Sequence, residues 1–513
     1  MGMNTFLEQI GNFNPQILRE LRGKLKMRSV AVAIAIPIAF QFLLLLFQSQ
    51  RLPSELCQTP FRCASSWAVW WQDQFRTLLY AIPYSLFFLG TFSLIADLTQ
   101  ENSKGTLNFI RLSPRSSLTI FLGKLIGVPI LCYLGVLLLV PLHIISGLAG
   151  GVAIGFFISY YLLLIAFAFF IFSLAIAFSL VGFAEQKQIG IQAYGGAIFF
   201  SFITLIFFSP LFILWNANTT WLGWQNFLFV SQSVDRGIVE WWYLPLSGNI
   251  IIAHCFTLGN IGLISYLIWQ ILRRRFYNPN ATVLSKGFSY FASAYLEVLI
   301  LGFLQRADLI NNTRIYNIQT FFLYIINFFL IAGLTFVLTP KRQSVMEWAR
   351  YGRGANTILD LIWYDKSPSI LAIAINLLIT QSLVIGTIVF SANPNKVGSV
   401  LVVFLLIVQW LFYALILQNI LLAKIKNPLT WGIGTILTLT FFPAIVMGIL
   451  GFTSKNASIL WLVLGSIWSS YAFLDASVND FIASCLILGI CAGVAVSILI
   501  GKIRAMQTAV STN

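Results

Sequence analysis

Apolar residues run along this chain in blocks of about twenty, separated by short polar stretches. The first block, Val30 to Phe47, follows a polar lead, and further blocks in the first half cover 77–97, 119–145, 152–181, 191–214 and 249–272. The second half supplies 288–305, 317–338, 369–391, 398–422, 430–451 and 480–501. A hydrocarbon core about 30 Å thick needs about 20 apolar residues in helical form, so each block predicts a membrane helix. A transmembrane barrel would instead alternate within segments of about ten residues. The expected fold is all-α: a polytopic helical membrane protein of about 12 transmembrane helices. The block at 288–305 is short and carries Glu297. No small-residue cleavage site follows the first block, which therefore reads as a retained span rather than a signal peptide.

Charge orients these spans. With the N-terminus inside, the cytoplasmic segments hold 23 of the 31 Lys and Arg and the external segments hold 8. Acidic residues divide almost evenly, 8 inside and 7 outside, with Glu297 near a boundary. The positive-inside rule is written in Lys and Arg alone, so this asymmetry fits a multi-pass protein of the plasma (inner) membrane with both termini cytoplasmic. The net charge of +15 is thereby accounted for without a nucleic-acid partner. A further apolar run, "ILWLVLGSIWSSYAFL" (459–474), would place the basic tail outside if it spanned, so it reads as a re-entrant or external helix shielded by neighbouring protein.

The order of features repeats. "NPQILRELRGKLKMRS" from Asn14 and "NPNATVLSKGFSYF" from Asn278 each open a half. Each half continues with a span, an external loop, a second span and a polar cytoplasmic insert ending in Ser-Pro: "TLNFIRLSPRS" and "DLIWYDKSPSI". This divides the chain into an amphipathic N-terminal helix (1–28), a first six-span half (29–276) and a second (277–513), arranged as two parallel six-helix repeats.

The first insert is the most informative stretch. Thr99, Asn102 or Ser103 is placed to cap a short helix near Glu101, and Leu107, Ile110 and Phe109 give it an apolar edge among Lys104 and Arg111. Gly105 is costly inside a helix, which points to a turn or a close contact. Pro114 ends the helix near Ser113, and Ser113 is placed to cap the next one. The second-half version mixes charge with Trp348, Tyr351, Trp363 and Tyr364, the residue types of a protein-docking surface.

"QENSKGTLNFIRLSPRSSLTIFLGKLIGVPIL" resembles the region between the second and third spans of type-2 exporter permeases of the ATP-binding-cassette family. Those permeases carry an acidic residue, Lys/Gln-Gly-Thr-Leu, Ser/Thr-Pro and then Gly-Lys. The matching positions here are Glu101, Lys104, Gly105, Thr106, Leu107, Ser113, Pro114, Gly123 and Lys124. The resemblance implies a membrane permease subunit of an ATP-driven exporter, whose insert is a coupling helix seated in a separate ATPase subunit. Glu101, Lys104, Gly105, Thr106, Leu107, Ile110, Arg111, Ser113 and Pro114 would form that docking element. The second half lacks both Lys-Gly-Thr-Leu and Gly-Lys, and its docking candidates are Glu347, Trp348, Trp363, Tyr364, Asp365 and Pro368.

The remaining residues narrow the chemistry. No Gly-x-x-x-x-Gly-Lys-Ser/Thr motif occurs, so ATP would be a cofactor of the partner subunit and the chain itself would be no enzyme. Catalytic and metal-ligating residues are expected to be absent. No His/Glu/Asp cluster, Ser/His pair or acid ladder is legible in the spans, which argues against a membrane protease or a proton-coupled pump. His143 and His254 are isolated and read as structural. Of six cysteines, Cys57 and Cys63 share one polar loop and could pair if that loop is external. The N-terminal helix sets Ile17, Leu18, Leu21 and Leu25 against a basic face, as for a helix lying on anionic membrane lipid. Gly147, Gly151 and Gly155 are spaced for close helix packing, and Pro37, Pro83, Pro129, Pro141 and Pro443 are placed to kink spans. Spans with so few charges suit an amphipathic or hydrophobic substrate. A second copy of the chain could complete the pore. The rival readings are an ion-gradient-driven secondary transporter and a non-transporting membrane assembly factor.

Overall fold

The computed structural model describes residues 11–50, 60–181, 194–200, 240–246, 250–304, 313–351, 357–390, 396–426, 428–469 and 476–508. Among these, ten helices are long and apolar enough to cross a membrane, which makes the chain an all-α polytopic membrane protein. The expected span at 191–214 lies mostly outside the described residues. The block at 288–305 is a helix, Lys286–Leu304, but it is not among the ten. The suggested Cys57–Cys63 pair lies outside the described residues and side chains.

The chain forms two compact units. The first begins with a short helix, α1 (Pro15–Lys24), followed by α2 (Met27–Ser49) and α3 (Pro60–Ser103). The connector helix α4 (Thr106–Arg111) leads into α5 (Ser117–Gly127), α6 (Ile130–Ala149) and α7 (Ile154–Val181), and α8 (Ile250–Tyr277) completes the unit. Its core lies where α3 packs on α6 and α7, and includes Leu78, Ile82, Phe87 and Leu94 against Tyr160, Ile171 and Phe172. Burying each such side chain stabilises by about 1.5–3 kcal/mol against water.

Two sequence expectations change here. The block at 119–145 is not one helix: Pro129 lacks an amide hydrogen, and the chain breaks between α5 and α6 at that residue. The glycine series does not form one packing stripe. Only Gly147 is a close-approach site, since an added Cβ would fall 2.4 Å from the Phe157 ring. Gly151 instead takes the left-handed turn between α6 and α7, with φ +83°, and Gly155 has open space beside it.

The second unit contains α9 (Lys286–Leu304), α10 (Thr313–Leu338), α11 (Arg342–Tyr351), α12 (Thr357–Trp363), α13 (Ile370–Phe390), α14 (Lys396–Leu421), α15 (Pro428–Ile449), α16 (Ser458–Leu464) and α17 (Val478–Thr508). It also includes a two-stranded hairpin, β1 (Glu240–Trp241) with β2 (Leu244–Pro245), which precedes α8 in the chain. The hairpin belongs with this unit because the Trp241 indole donates to the Leu299 carbonyl at 3.1 Å and Trp242 N donates to the Gly302 carbonyl at 2.7 Å.

The described part of the 459–474 run forms α16 and then a 3-10 turn, Ser466–Trp468. Ending a helix inside an apolar environment leaves carbonyls without partners. Gln409 of α14 answers this: its Nε2 donates to the Val463 carbonyl at 3.1 Å, and its Oε1 accepts from Ser469 Oγ at 3.2 Å.

Candidate functional site

The connector is built differently from its sequence pattern. α3 continues unbroken through Asp97 and Glu101 to Ser103, so Thr99, Asn102 and Ser103 sit in its last turns and cap no new helix. The turn falls on Gly105, whose φ of +74° is the left-handed region that a side chain would disfavour. Thr106 Oγ1 then donates back to the Glu101 carbonyl at 3.1 Å. Within α4, Leu107 and Ile110 are buried, while Phe109 is 80% exposed and Leu112 just after it 85% exposed. Arg111 Nη1 donates to Asn108 Oδ1 at 2.7 Å, and partial burial pulls the guanidinium below its ordinary range. Ser113 closes α4 by donating to the Ile110 carbonyl at 2.7 Å. Ser116, not Ser113, caps α5, its Oγ accepting from Thr119 N at 3.2 Å. Residues 113–115 are used up by the corner around Pro114.

Of the docking candidates in this insert, Lys104, Gly105, Thr106 and Pro114 are exposed, and Arg111 and Ser113 are half-buried. Glu101, Leu107 and Ile110 face inward. Phe109 and Leu112 form the outward apolar edge.

Glu101 belongs to an ionic joint between three helices. Lys124 of α5 is fully shielded, and its Nζ lies 2.8 Å from Asp97 Oδ2, 2.8 Å from Glu101 Oε2 and 3.2 Å from Glu20 Oε1. Arg19 approaches Glu101 at 2.6 Å, and Lys24 approaches Asp97 at 3.4 Å. Burying an ammonium is costly, and three close carboxylates offset that cost here. Burial pushes the Glu20 carboxyl above its ordinary range. Lys124 opposes that shift, and Asp97 and Glu101 add to it. The three carboxylates could converge on a metal ion, but the Lys124 ammonium lies among them and takes that role.

The same joint seats α1. Asn14 caps α1 by accepting from Gln16 N at 3.0 Å and uses its Nδ2 to donate to the Thr119 carbonyl at 2.8 Å. Gln16 and Glu20 press on the two glycines of α5: an added Cβ would fall 2.6 Å from Gln16 Cβ at Gly123 and 2.5 Å from Glu20 Cβ at Gly127. Ile17 and Leu21 are buried, but Leu25 is exposed, so the docked edge mixes polar and apolar residues and is not the purely apolar face expected for a helix lying on lipid. Arg22, Lys26 and Arg28 remain exposed.

The second-unit candidates divide similarly. Trp363 and Tyr364 are exposed, and Glu347 is exposed and pairs with Lys366 at 2.9 Å. Trp348 is half-buried. Asp365 and Pro368 are used internally by Lys286, which is 1% exposed. Lys286 N donates to Asp365 Oδ1 at 3.0 Å, and its Nζ donates to Ser367 Oγ at 2.6 Å and to the carbonyls of Leu361 and Pro368. Burial pulls this ammonium down to about 8, against the upward pull of Asp365 and Asp360.

Both histidines are packed into the helices: His143 Nδ1 pairs with Tyr161 OH, and His254 Nε2 with Ser159 Oγ, each at 2.8 Å. Sequence reading missed the ionic joint because Glu20, Asp97 and Lys124 are far apart in the chain. The available signal was Lys124 and Asp97 standing in apolar runs, where an ionisable group needs a partner. No family model matches the chain, and no curated protein or solved structure is similar to it.

Proposed function

We propose that this membrane protein is the permease subunit of an ATP-driven exporter, moving an amphipathic or hydrophobic substrate and energised by a separate ATPase subunit. The observation that carries the reading is the connector between α3 and α5. It offers an exposed apolar edge, Phe109 and Leu112, on a short helix whose other side is anchored by Leu107 and Ile110. Exposed aromatic and aliphatic side chains beside an arginine suit a protein partner. Force applied at that edge reaches α3 through the Gly105 turn and α5 through the corner after Ser113, and the Lys124 joint ties both helices to α1. Exposed Trp363 and Tyr364 offer a second, chemically different contact in the second unit. The resemblance of the Glu101–Lys124 stretch to exporter permeases supports the same reading.

The test is purification of the native protein in mild detergent with mass spectrometry of what accompanies it. A stoichiometric soluble subunit with a Walker motif, lost in F109D/L112D, is the expected result. A chain that purifies alone even after cross-linking, with transport that survives ATP depletion but collapses with the ion gradient, would replace this reading with a secondary transporter. Stable partners without substrate-stimulated ATPase activity in vesicles would point to an assembly factor.

A further inference from the structure

Glu297 stands midway along the predicted span 288–305, which contains no Lys or Arg. It is fully buried in α9, and so is Asn327 on the neighbouring α10. Asn327 Nδ2 donates to Glu297 Oε1 at 3.0 Å. The other oxygen of each group, Glu297 Oε2 and Asn327 Oδ1, is buried and has no hydrogen-bond partner among the described residues. Two buried acceptors left open in this way are costly, and more so where the carboxylate is charged. No ion pair among the described residues reaches Glu297.

Among the described residues, the surroundings are short of compensating charge. α9 is packed by α10, α12, α13 and β1. Their described titratable side chains are Tyr324 on α10, Asp360 on α12 and Glu240 on β1, with Asp365 just beyond α12; α13 has none. α9 itself adds Lys286, Tyr290 and Tyr295. Lys286 lies three helical turns away and is committed to Ser367 and two carbonyls. Between it and Glu297 the same face of α9 carries Ser289 and Ser293, both bonded to Asn376 of α13. The polar stripe is therefore neutral from Ser289 to Ser293.

A single proton resolves the two open oxygens together. Placed on Glu297 Oε2, it becomes a donor for Asn327 Oδ1 while Asn327 Nδ2 continues to donate to Oε1. The result is a cyclic acid–amide pair with every polar atom satisfied. We infer that Glu297 and Asn327 form a proton-binding site, in which the neutral acid locks α9 to α10. Taking up the proton converts the carboxylate to the acid with no other bond made or broken. Releasing it leaves a bare buried anion between the two helices and loosens their contact. The site is independent of the exporter reading, since it involves none of the connector residues.

Infrared spectroscopy of the full chain in lipid nanodiscs tests this directly. At neutral pH the wild type should show a carboxylic-acid C=O band above the amide region that E297Q lacks. E297Q keeps both hydrogen bonds as an amide pair, so it should match the wild-type Tm near pH 6. The wild-type Tm should then fall toward about pH 9 by more than that of E297Q, because the folded state holds a proton that the unfolded state gives up. Absence of an E297Q-sensitive acid band, with a difference only in the carboxylate region, would overturn the proposal. So would a Tm that rises with NaCl but not with choline chloride and loses that dependence in E297Q, because a cation would then hold the two oxygens.

Discussion

Gly123 of α5 lies directly under Gln16 of α1, so close that a methyl group on the glycine would fall 2.6 Å from Gln16 Cβ. The contact is with the root of a side chain, not its flexible end, so α1 must move to relieve it. Gly123→Ala should lift α1 off α5 at a cost of about 1–3 kcal/mol. Limited proteolysis within residues 11–26 should speed up, while the same substitution at Gly155, which has open space beside it, should have little effect.

Lys124→Met should be more damaging. It leaves Glu20, Asp97 and Glu101 gathered without their shared cation, and breaking a buried pair of this kind costs about 3–5 kcal/mol. Adding D97N to K124M should recover part of the lost Tm. Equal Tm values for the single and double variants would show that the joint contributes shape, not charge.

Glu20 gives this joint a pH dependence of known sign. Its carboxyl is raised above the ordinary 4.5 by burial first, so the folded protein binds that proton more tightly than the unfolded chain does. The contribution is complete below 4.5 and is lost as pH rises through the raised value. Tm measured against pH should therefore fall across that interval in the wild type and less steeply in E20Q.

The connector separates folding from docking residue by residue. Leu107→Ala removes a fully buried side chain and should cost about 2–5 kcal/mol. Phe109→Asp and Leu112→Asp alter exposed positions and should change stability by no more than about 0.5 kcal/mol, yet abolish co-purification of an ATPase subunit. A normal complex from F109D/L112D would remove the connector from the interface.

Gln409→Leu should uncap the broken segment at α16. The Val463 carbonyl and Ser469 hydroxyl lose a partner inside apolar surroundings, at about 1–3 kcal/mol each. Faster hydrogen exchange across 458–469 with little change in α14 is the expected signature.

The membrane helices were legible because a run of apolar residues needs no partner to declare itself. Val30–Phe47 and 398–422 reappear as α2 and α14 within a few residues. Leu107 and Ile110 were also readable, since helical spacing alone turns them inward. What the pattern hid depends on contacts across the chain. Glu101 reads as a surface acid in an exposed insert until Arg19 and Lys124 are brought to it. Ser113 looks like the better cap for α5 because it precedes a proline, but the corner needs three residues and Ser116 takes the role. Gln16 and Glu20 are polar and appear solvent-facing on a helical wheel. Only the missing side chains of Gly123 and Gly127 let α5 receive them.

The joint around Lys124 combines three anions, Glu20, Asp97 and Glu101, with three cations, Arg19, Lys24 and Lys124. With all six ionised, its net charge is zero. A single displaced charge would do about 2.3 kcal/mol of work per 100 mV of transmembrane potential. This group, moving as one body, does essentially none. The joint itself therefore adds no voltage dependence to the packing of α1, α3 and α5, although it holds six ionisable groups.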